Sequence, residues 1–459
     1  MKGLNMNKIS LITVLFLLVA TVTQAQVKKG DVLIKNGTLL TITNGTLENT
    51  DILVQNGKIS KIGKNIKAPK GVDVIDATGQ FVMPGIIDAH SHIAGTSINE
   101  GTSQVTAEVS MEDVVNPFDV SIYRALAGGV TTINLMHGSA NVIGGRNETL
   151  KLRYGTTNPD DLRFEDAPRT IKFALGENPT RGGRSRGIQP QSRMGVEAML
   201  RNSFSEALVY KKAWDDYRSD KSKRKVTPKY SLRMETLVDI LEGKILVHCH
   251  SYRADEIYML MKVFSDFGIK KLTFQHANEA YKVAPELAAF GASASVFADW
   301  WAYKLEVYYS TAYNAAILTK NGVTTSINSD SGELIRHLFH EAAKTQKYGN
   351  LSDSEALALI TLNPAKQLGI DDRVGSLEKG KDADITIFDK HPLSTYAIPQ
   401  MTFVDGVKYF DKATDAKDQR IFVNPESSID VVQIFDREEQ HQCMQDAEMV
   451  DFNVLFNNK

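Results

Sequence analysis

The sequence has few cysteines, almost no net charge and, after its first 25 residues, no long apolar run. Its two cysteines, Cys249 and Cys443, support neither a disulfide framework nor a zinc site built from thiolates. A formal net charge of −2 over 459 residues gives no reason to expect nucleic acid or an anionic membrane surface as a partner. We therefore expect a globular protein that binds a small molecule or a peptide, and a homo-oligomer is compatible with this composition.

The amino terminus has the pattern of a secretory signal. Lys2 and Lys8 flank the start of an apolar run over residues 9–20, and Thr23-Gln24-Ala25 offers a small–x–small cleavage site. The run is shorter than the roughly 20 residues that a membrane-spanning helix needs, whereas it fits the apolar region of a signal peptide. We predict that residues 1–25 are removed and that the mature protein is periplasmic or secreted, with no membrane span.

Both ends of the remaining chain are rich in short strands. Residues 51–62 contain two alternating apolar runs joined by Asn56-Gly57, which is a strong signal for a β-hairpin. Residues 374–414 return to the same pattern, with a second predicted hairpin around Asp405-Gly406. We predict that residues 26–80 and 374–414 together build a small β-sandwich domain. Residues 415–459 are polar with weak periodicity, so they are predicted to form a loosely ordered tail.

Between these ends, residues 81–373 alternate between strand and helix patterns. Apolar strand segments recur along this region, and stretches with a helical period follow several of them. Such alternation predicts an α/β fold, a (β/α)8 TIM barrel with parallel strands. Residues 177–193 are predicted to be a long loop. The predicted barrel strands cover residues 81–89, 130–135, 149–152, 170–176, 244–250, 271–276, 293–298 and 324–330.

Polar side chains with metal-ligand chemistry accompany five of these strands. His90 and His92 are two residues apart, so they face the same side of the first strand. Because the carboxyl ends of parallel barrel strands meet at one face, we expect the whole set to converge there. Without a cation, so many buried polar groups facing one another would be costly. The set comprises His90, His92, Lys172 or Glu177, His248, His250, His276 and Asp330.

The order of these residues and the segments around them resemble the amidohydrolase superfamily. Residues 81–92 read Phe-Val-Met-Pro-Gly-Ile-Ile-Asp-Ala-His-Ser-His, and residues 363–370 and 375–384 are similar to the carboxyl-terminal signatures of that superfamily. The similarity extends over about residues 32–410. Within the superfamily, the finer resemblance is to the imidazolonepropionase-like and Xaa-Pro dipeptidase-like branch.

The resemblance implies a hydrolase that cleaves a C–N bond in an amide, a cyclic amide or a dipeptide. His90 and His92 would hold one divalent cation, and His248 and His276 would hold a second. Asp330 would contact the first cation and act as general base for a metal-bound hydroxide. Zinc is the expected metal, in one or two copies, with iron or manganese as alternatives. The alternative functions are that of a ring deaminase of the same superfamily and that of a non-catalytic binding barrel.

Two of the implied assignments stay open. In the fifth strand, the valine that precedes His248 favours it as the ligand and leaves His250 to face the substrate as a catalytic residue, or the two roles are exchanged. In the fourth strand, the bridging ligand is either Lys172, carboxylated by carbon dioxide, or Glu177. These two side chains cannot both point inward from a regular strand, because five residues separate them.

Substrate contacts are predicted beside the same strands. Arg181 and Arg184 follow the fourth strand, where a guanidinium can clamp a substrate carboxylate with two hydrogen bonds. Tyr252 and Arg253 directly follow the fifth strand and are alternative substrate contacts.

Overall fold

The computed structural model describes residues 27–220, 222, 226–300 and 304–415. The predicted signal peptide and the predicted tail after Asp415 lie outside the described residues. Within the described ranges, no helix combines the length and the apolar character needed to cross a membrane.

The described residues form two sheets, and the α-helices lie mainly between the strands of the second sheet along the sequence. The strands are β1 (Val32–Leu40), β2 (Thr46–Gln55), β3 (Lys58–Gly63), β4 (Asp73–Asp76), β5 (Phe81–Pro84), β6 (Ile86–Ser91), β7 (Val130–Leu135), β8 (Ile143–Lys151), β9 (Arg169–Ala174), β10 (Ile245–Ser251), β11 (Leu272–His276), β12 (Ser293–Val296), β13 (Thr325–Ile327), β14 (Ile385–Phe388), β15 (Pro399–Val404) and β16 (Val407–Asp411). The α-helices are α1 (Val120–Ala127), α2 (Glu177–Arg186), α3 (Arg193–Ser219), α4 (Leu232–Leu241), α5 (Ala254–Asp266), α6 (Ala284–Phe290), α7 (Asn314–Lys320), α8 (Leu338–Gly349), α9 (Asp353–Ala358) and α10 (Leu362–Leu368).

Strands from both ends of the chain form one eight-stranded sheet. Its order is β16-β15-β14-β5-β1-β2-β3, with β4 paired to β1. The hairpin predicted at Asn56-Gly57 is confirmed, because these residues join β2 to β3 with φ of 50° and 75°, as a tight hairpin turn requires. The two chain ends thus share a sheet, and the further prediction that it is a sandwich stays a prediction.

The middle of the chain forms a nearly closed barrel of eight strands, β6 to β13, paired in sequence order. This confirms a TIM-barrel type of fold, with one difference. Strand β8 is antiparallel to both β7 and β9, so the prediction of an entirely parallel barrel is wrong at this strand. Residues 136–142, which link β7 to β8, are fewer than the dozen or so residues that a parallel crossover takes.

Two predicted boundaries are corrected. The segment predicted as one strand over residues 81–89 is two strands, β5 in the small sheet and β6 in the barrel, separated at Gly85. A Cβ on Gly85 would lie 2.2 Å from Oγ1 of Thr131, so the close approach of the chains requires glycine there. The segment predicted as a long loop over residues 177–193 contains helix α2, which ends at Arg186 and is capped by Gly187 with φ 67°. Its glycines and arginines carry no apolar period, which is why the sequence pattern missed the helix.

Two helix predictions are confirmed. The helix expected near residues 195–217 is α3. The capping box of Ser352 and Glu355 starts α9 as predicted, with each side chain bonded to the backbone of the other.

A buried ionic cluster joins the barrel to the small sheet. Lys151 ends the reversed strand β8 and its side chain is completely buried. Its Nζ lies 2.8 Å from Oδ2 of Asp382, 2.7 Å from Oδ1 of Asp405 and 3.3 Å from Oδ1 of Asp384. These carboxylates flank β14 and β15, so the cluster fixes the sheet against the barrel.

Candidate metal centre

The end of β6 and the segment that follows β13 bring His90, His92 and Asp330 together. The Nε2 atoms of the two histidines are 3.3 Å apart, and they lie 3.4 and 3.2 Å from Oδ1 of Asp330. Nδ1–H of His92 donates to the carbonyl of Met136 at 2.9 Å. Because Nδ1 then carries the proton of the neutral ring, Nε2 is left as the nitrogen that can bind a cation.

His276 reaches the same group from β11. Its Nε2 lies 3.7 Å from Oδ2 of Asp330, and ligand atoms of His90, His276 and Asp330 all lie within 4.8 Å of one another. His276 and Asp330 have φ of 66° and 47°, a left-handed conformation that costs free energy for residues other than glycine. The strained backbone turns the chain at each strand end, so that both side chains enter the barrel mouth.

The structure separates the two candidates on the fourth strand. Lys172 is fully buried, and its Nζ lies 3.1 Å from Nε2 of His90. Glu177 starts helix α2, where its carboxylate accepts from Arg181 at 2.6 Å. Lys172 therefore lies within the imidazole cluster, whereas the carboxylate of Glu177 faces its own helix.

His248 and His250 on β10 both face the barrel interior. Nδ1 of His248 accepts from the side-chain amide of Gln275 at 2.8 Å. Nδ1 of His250 lies 3.0 Å from Oγ of Ser139, and the His250 ring packs edge-on against His276 with centroids 4.8 Å apart. Both imidazoles thus border the cluster, His250 beside His276 and His248 in the strand register of Lys172.

The four predicted substrate contacts differ in whether they touch the imidazole cluster. The ring of Tyr252 is buried, stacks on His276 at 5.6 Å and meets His250 edge-on at 4.6 Å. The arginines contact partners of their own: Arg181 binds Glu177, Arg184 donates to the carbonyl of Gln191 at 3.2 Å, and Arg253 binds Asp255 at 2.9 Å. Of the four, Tyr252 is the residue that the fold packs against the cluster.

Burial keeps the imidazoles neutral. It lowers the pKa of His248 and of His276 to about 3, and it lowers the pKa of His90 and His250 well below the ordinary range. Burial alone would raise the pKa of Asp330, but His276 and His92 hold that pKa below its usual value. Neutral imidazoles beside an ionised carboxylate are the state in which these groups bind a cation.

The donor set fits a divalent cation. Among the described residues, the buried Nε2 atoms of His250 and His276 make no hydrogen bond, although buried polar atoms are normally satisfied. Imidazole nitrogens with a carboxylate suit zinc and related transition metals. A cation here would satisfy these atoms and balance the carboxylate.

Sequence reasoning missed three buried residues that hold the cluster. Gln275 accepts from Nδ1–H of His90 at 3.2 Å while its amide donates to His248. Asp88 accepts from the backbone N–H of His90 at 3.2 Å, and Ser139 contacts His250. For Asp88 and Gln275 the available signal was a polar residue inside an otherwise apolar strand, two and one positions before a histidine of the cluster.

The comparisons with known proteins agree on one family. The model of the amidohydrolase family matches residues 306–418. A solved amidohydrolase from Thermotoga maritima MSB8 is 34% identical with a TM-score of 0.77, and the match covers 83% of this chain and 100% of that one.

Two curated relatives extend this similarity. Amidohydrolase tasK from Hapsidospora irregularis is 32% identical over 388 residues, which are 77% of this chain and 39% of that protein. This chain therefore spans well under half of the length of tasK. The imidazolonepropionase of Thermoplasma volcanium is 25% identical over 367 residues, which cover 72% of this chain and 82% of that protein.

Proposed function

Because this chain belongs to the amidohydrolase family, and is thus a hydrolase of C–N bonds, we propose that it cleaves an amide, a cyclic amide or a dipeptide. The observation that carries the proposal is the convergence of neutral imidazoles, Asp330 and Lys172 at one end of the barrel. Active sites of such barrels lie at this end.

We propose that His90, His92 and Asp330 hold one divalent cation, with zinc as the first candidate and iron or manganese as alternatives. His276 and a histidine of β10 would hold a second cation, and Lys172, when carboxylated by carbon dioxide, would supply a further oxygen ligand. Such cations polarise a carbonyl group and make water acidic enough to react near neutral pH.

The chain's own residues supply the proton transfers and the substrate contacts. The ionised carboxylate of Asp330 takes a proton from the attacking water and delivers it to the leaving nitrogen. If His248 is the metal ligand of β10, His250, whose Nδ1 lies 3.0 Å from Oγ of Ser139, orients the substrate carbonyl through Nε2, and otherwise the two roles are exchanged. Tyr252 packs on the rings of His250 and His276 and closes one side of the substrate position.

A substrate panel tests this function. Dipeptides, N-acyl amino acids, cyclic amides and ring amines are incubated with zinc-loaded protein, and a parallel preparation of Asp330→Asn controls for contaminating hydrolases. Release of an amine and a carboxylate from one of the first three classes is the expected result. Ammonia release from a ring amine alone would replace the proposal by deamination, and no turnover in any class would contradict it.

The cellular location is a separate proposal. We infer from residues 1–25 that the protein is exported to the periplasm or secreted. Amino-terminal sequencing of the mature protein should start at Gln26, and a start at Met1 in the cytoplasmic fraction would contradict this.

A further inference from the structure

Asp88 is a completely buried carboxylate below the cation site. It lies in β6, two residues before His90. Its Oδ1 accepts from the backbone N–H of His90 at 3.2 Å and from that of Ser329 at 3.3 Å. Its Oδ2 accepts from the hydroxyl of Ser329 at 2.5 Å. One side chain therefore binds the residue that carries a metal-ligating imidazole and the residue directly before Asp330.

These contacts lie where the barrel closes. In the described part of the chain, β6 and β13 end the strand order of the barrel and are not paired as strands. The backbone N–H of Asp330 donates across this junction to the carbonyl of His90 at 3.3 Å. Asp88 adds its hydrogen bonds to Ser329 across the same junction. A side chain thus replaces some of the backbone hydrogen bonds that would pair β6 with β13 in a closed sheet.

The junction also carries a residue of the site with a left-handed backbone. Asp330 has φ 47°, and a non-glycine residue keeps such a conformation only when its surroundings enforce it. The bonds from Asp88 to Ser329 fix the chain just before Asp330, and the bond to the His90 carbonyl fixes Asp330 itself. Without them, relaxation of the backbone would move the Asp330 carboxylate away from the imidazoles.

We propose that Asp88 is a positioning residue for the cation site: it clamps Ser329 to His90 across the barrel junction and so sets the distance between Asp330 and the imidazoles of His90 and His92. The inference rests on the proposed function, because it assumes that these residues hold a cation. Asp88 touches neither the cation nor the substrate; it acts through the backbones of His90 and Ser329.

The test measures zinc affinity by competition with a chromogenic chelator, and cobalt(II) absorption as a report on ligand geometry. Asp88→Asn keeps the shape of the side chain but replaces one acceptor oxygen by a donor. Loss of such an outer partner typically weakens metal binding about 10- to 100-fold, and we expect this loss with a shifted cobalt spectrum. Ser329→Ala removes the 2.5 Å bond and should act in the same direction.

Asp51 provides a matched control in the small sheet. It is buried as deeply, and its two oxygens accept from the backbone N–H groups of Asn36 at 2.9 Å and Ile66 at 2.8 Å. Asp51→Asn should lower the unfolding temperature but leave the zinc titration of the wild type unchanged. This comparison separates a general loss of stability from a loss of positioning.

The double variant Asp88→Asn/Ser329→Ala should lose little more zinc affinity than either single variant, because both changes break the same clamp. If Asp88→Asn unfolds, Ser329→Ala alone decides the question. Zinc titrations and cobalt spectra identical to those of the wild type would overturn the inference while leaving the proposed function intact. A wild type that binds none of zinc, cobalt, iron and manganese would contradict the proposed function and the inference together.

Discussion

Nζ of Lys172 lies 3.1 Å from Nε2 of His90 in the buried interior of the barrel. Lys172 also lies opposite His248 in the pairing of β9 with β10. If Lys172 is carboxylated as proposed, its carboxylate would lie close to His90 and to the histidines of β10. The carboxylate of Glu177, in contrast, is held by Arg181 at the start of α2.

This difference predicts the outcome of two matched substitutions. Lys172→Met should lower kcat/KM by more than about 100-fold, because it removes a group from the metal site rather than an outer partner, and it should lower the metal content. Glu177→Gln should leave both quantities nearly unchanged. Kinetics on the best substrate and elemental analysis check the pair, and the opposite order would assign the bridging role to Glu177.

Asp330 is predicted to contribute to catalysis rather than to the stability of the fold. Asp330→Asn keeps the size of the side chain and one oxygen for the cation, but it cannot accept a proton from water. We expect kcat to fall by about 10²- to 10⁴-fold, the usual contribution of a general base. The protein should retain its metal and its unfolding temperature. Turnover at the wild-type rate would remove Asp330 from this role.

Lys151 is predicted to stabilise the contact between the barrel and the small sheet. Lys151→Met leaves the buried carboxylates of Asp382, Asp384 and Asp405 without their shared cation, and breaking a buried ion pair costs about 3–5 kcal/mol. The free energy of unfolding, measured in urea, should fall by about this amount.

Lys212→Met is the control for this substitution, because Lys212 pairs with Asp216 on an exposed helix surface. Its urea midpoint should stay close to that of the wild type. Equal midpoints for Lys151→Met and the wild type would show that the buried cluster adds nothing to stability.

The sequence predicted the barrel and the residues at its mouth because both leave local signals. An apolar run that ends in His90-Ser91-His92, or in Gln275-His276, marks a strand and a polar group at its end. The direction of β8 leaves no such signal, since an apolar alternation reads the same in both directions. The structure shows this direction, and the short link between β7 and β8 explains it.

The rest of the site depends on contacts between distant parts of the chain. The bonds of Asp88 to Ser329 span 241 residues, and those of Gln275 to His90 span 185, so no spacing pattern shows them. The left-handed backbone of His276 and Asp330 is equally hidden, because neither is a glycine. Helix α2 was missed since Gly182 and Gly183 oppose helix formation and the fold, not the local sequence, stabilises it.

The most direct test of the whole account is the metal content of the purified protein, measured by elemental analysis after expression in zinc-supplemented medium without chelators. The account predicts about one or two divalent cations per chain. The double variant His90→Asn/His92→Asn should lose this metal, whereas His391→Asn, whose imidazole pairs with Asp353 away from the cluster, should retain it. A wild type without stoichiometric metal, or a double variant with the full wild-type content, would contradict the account.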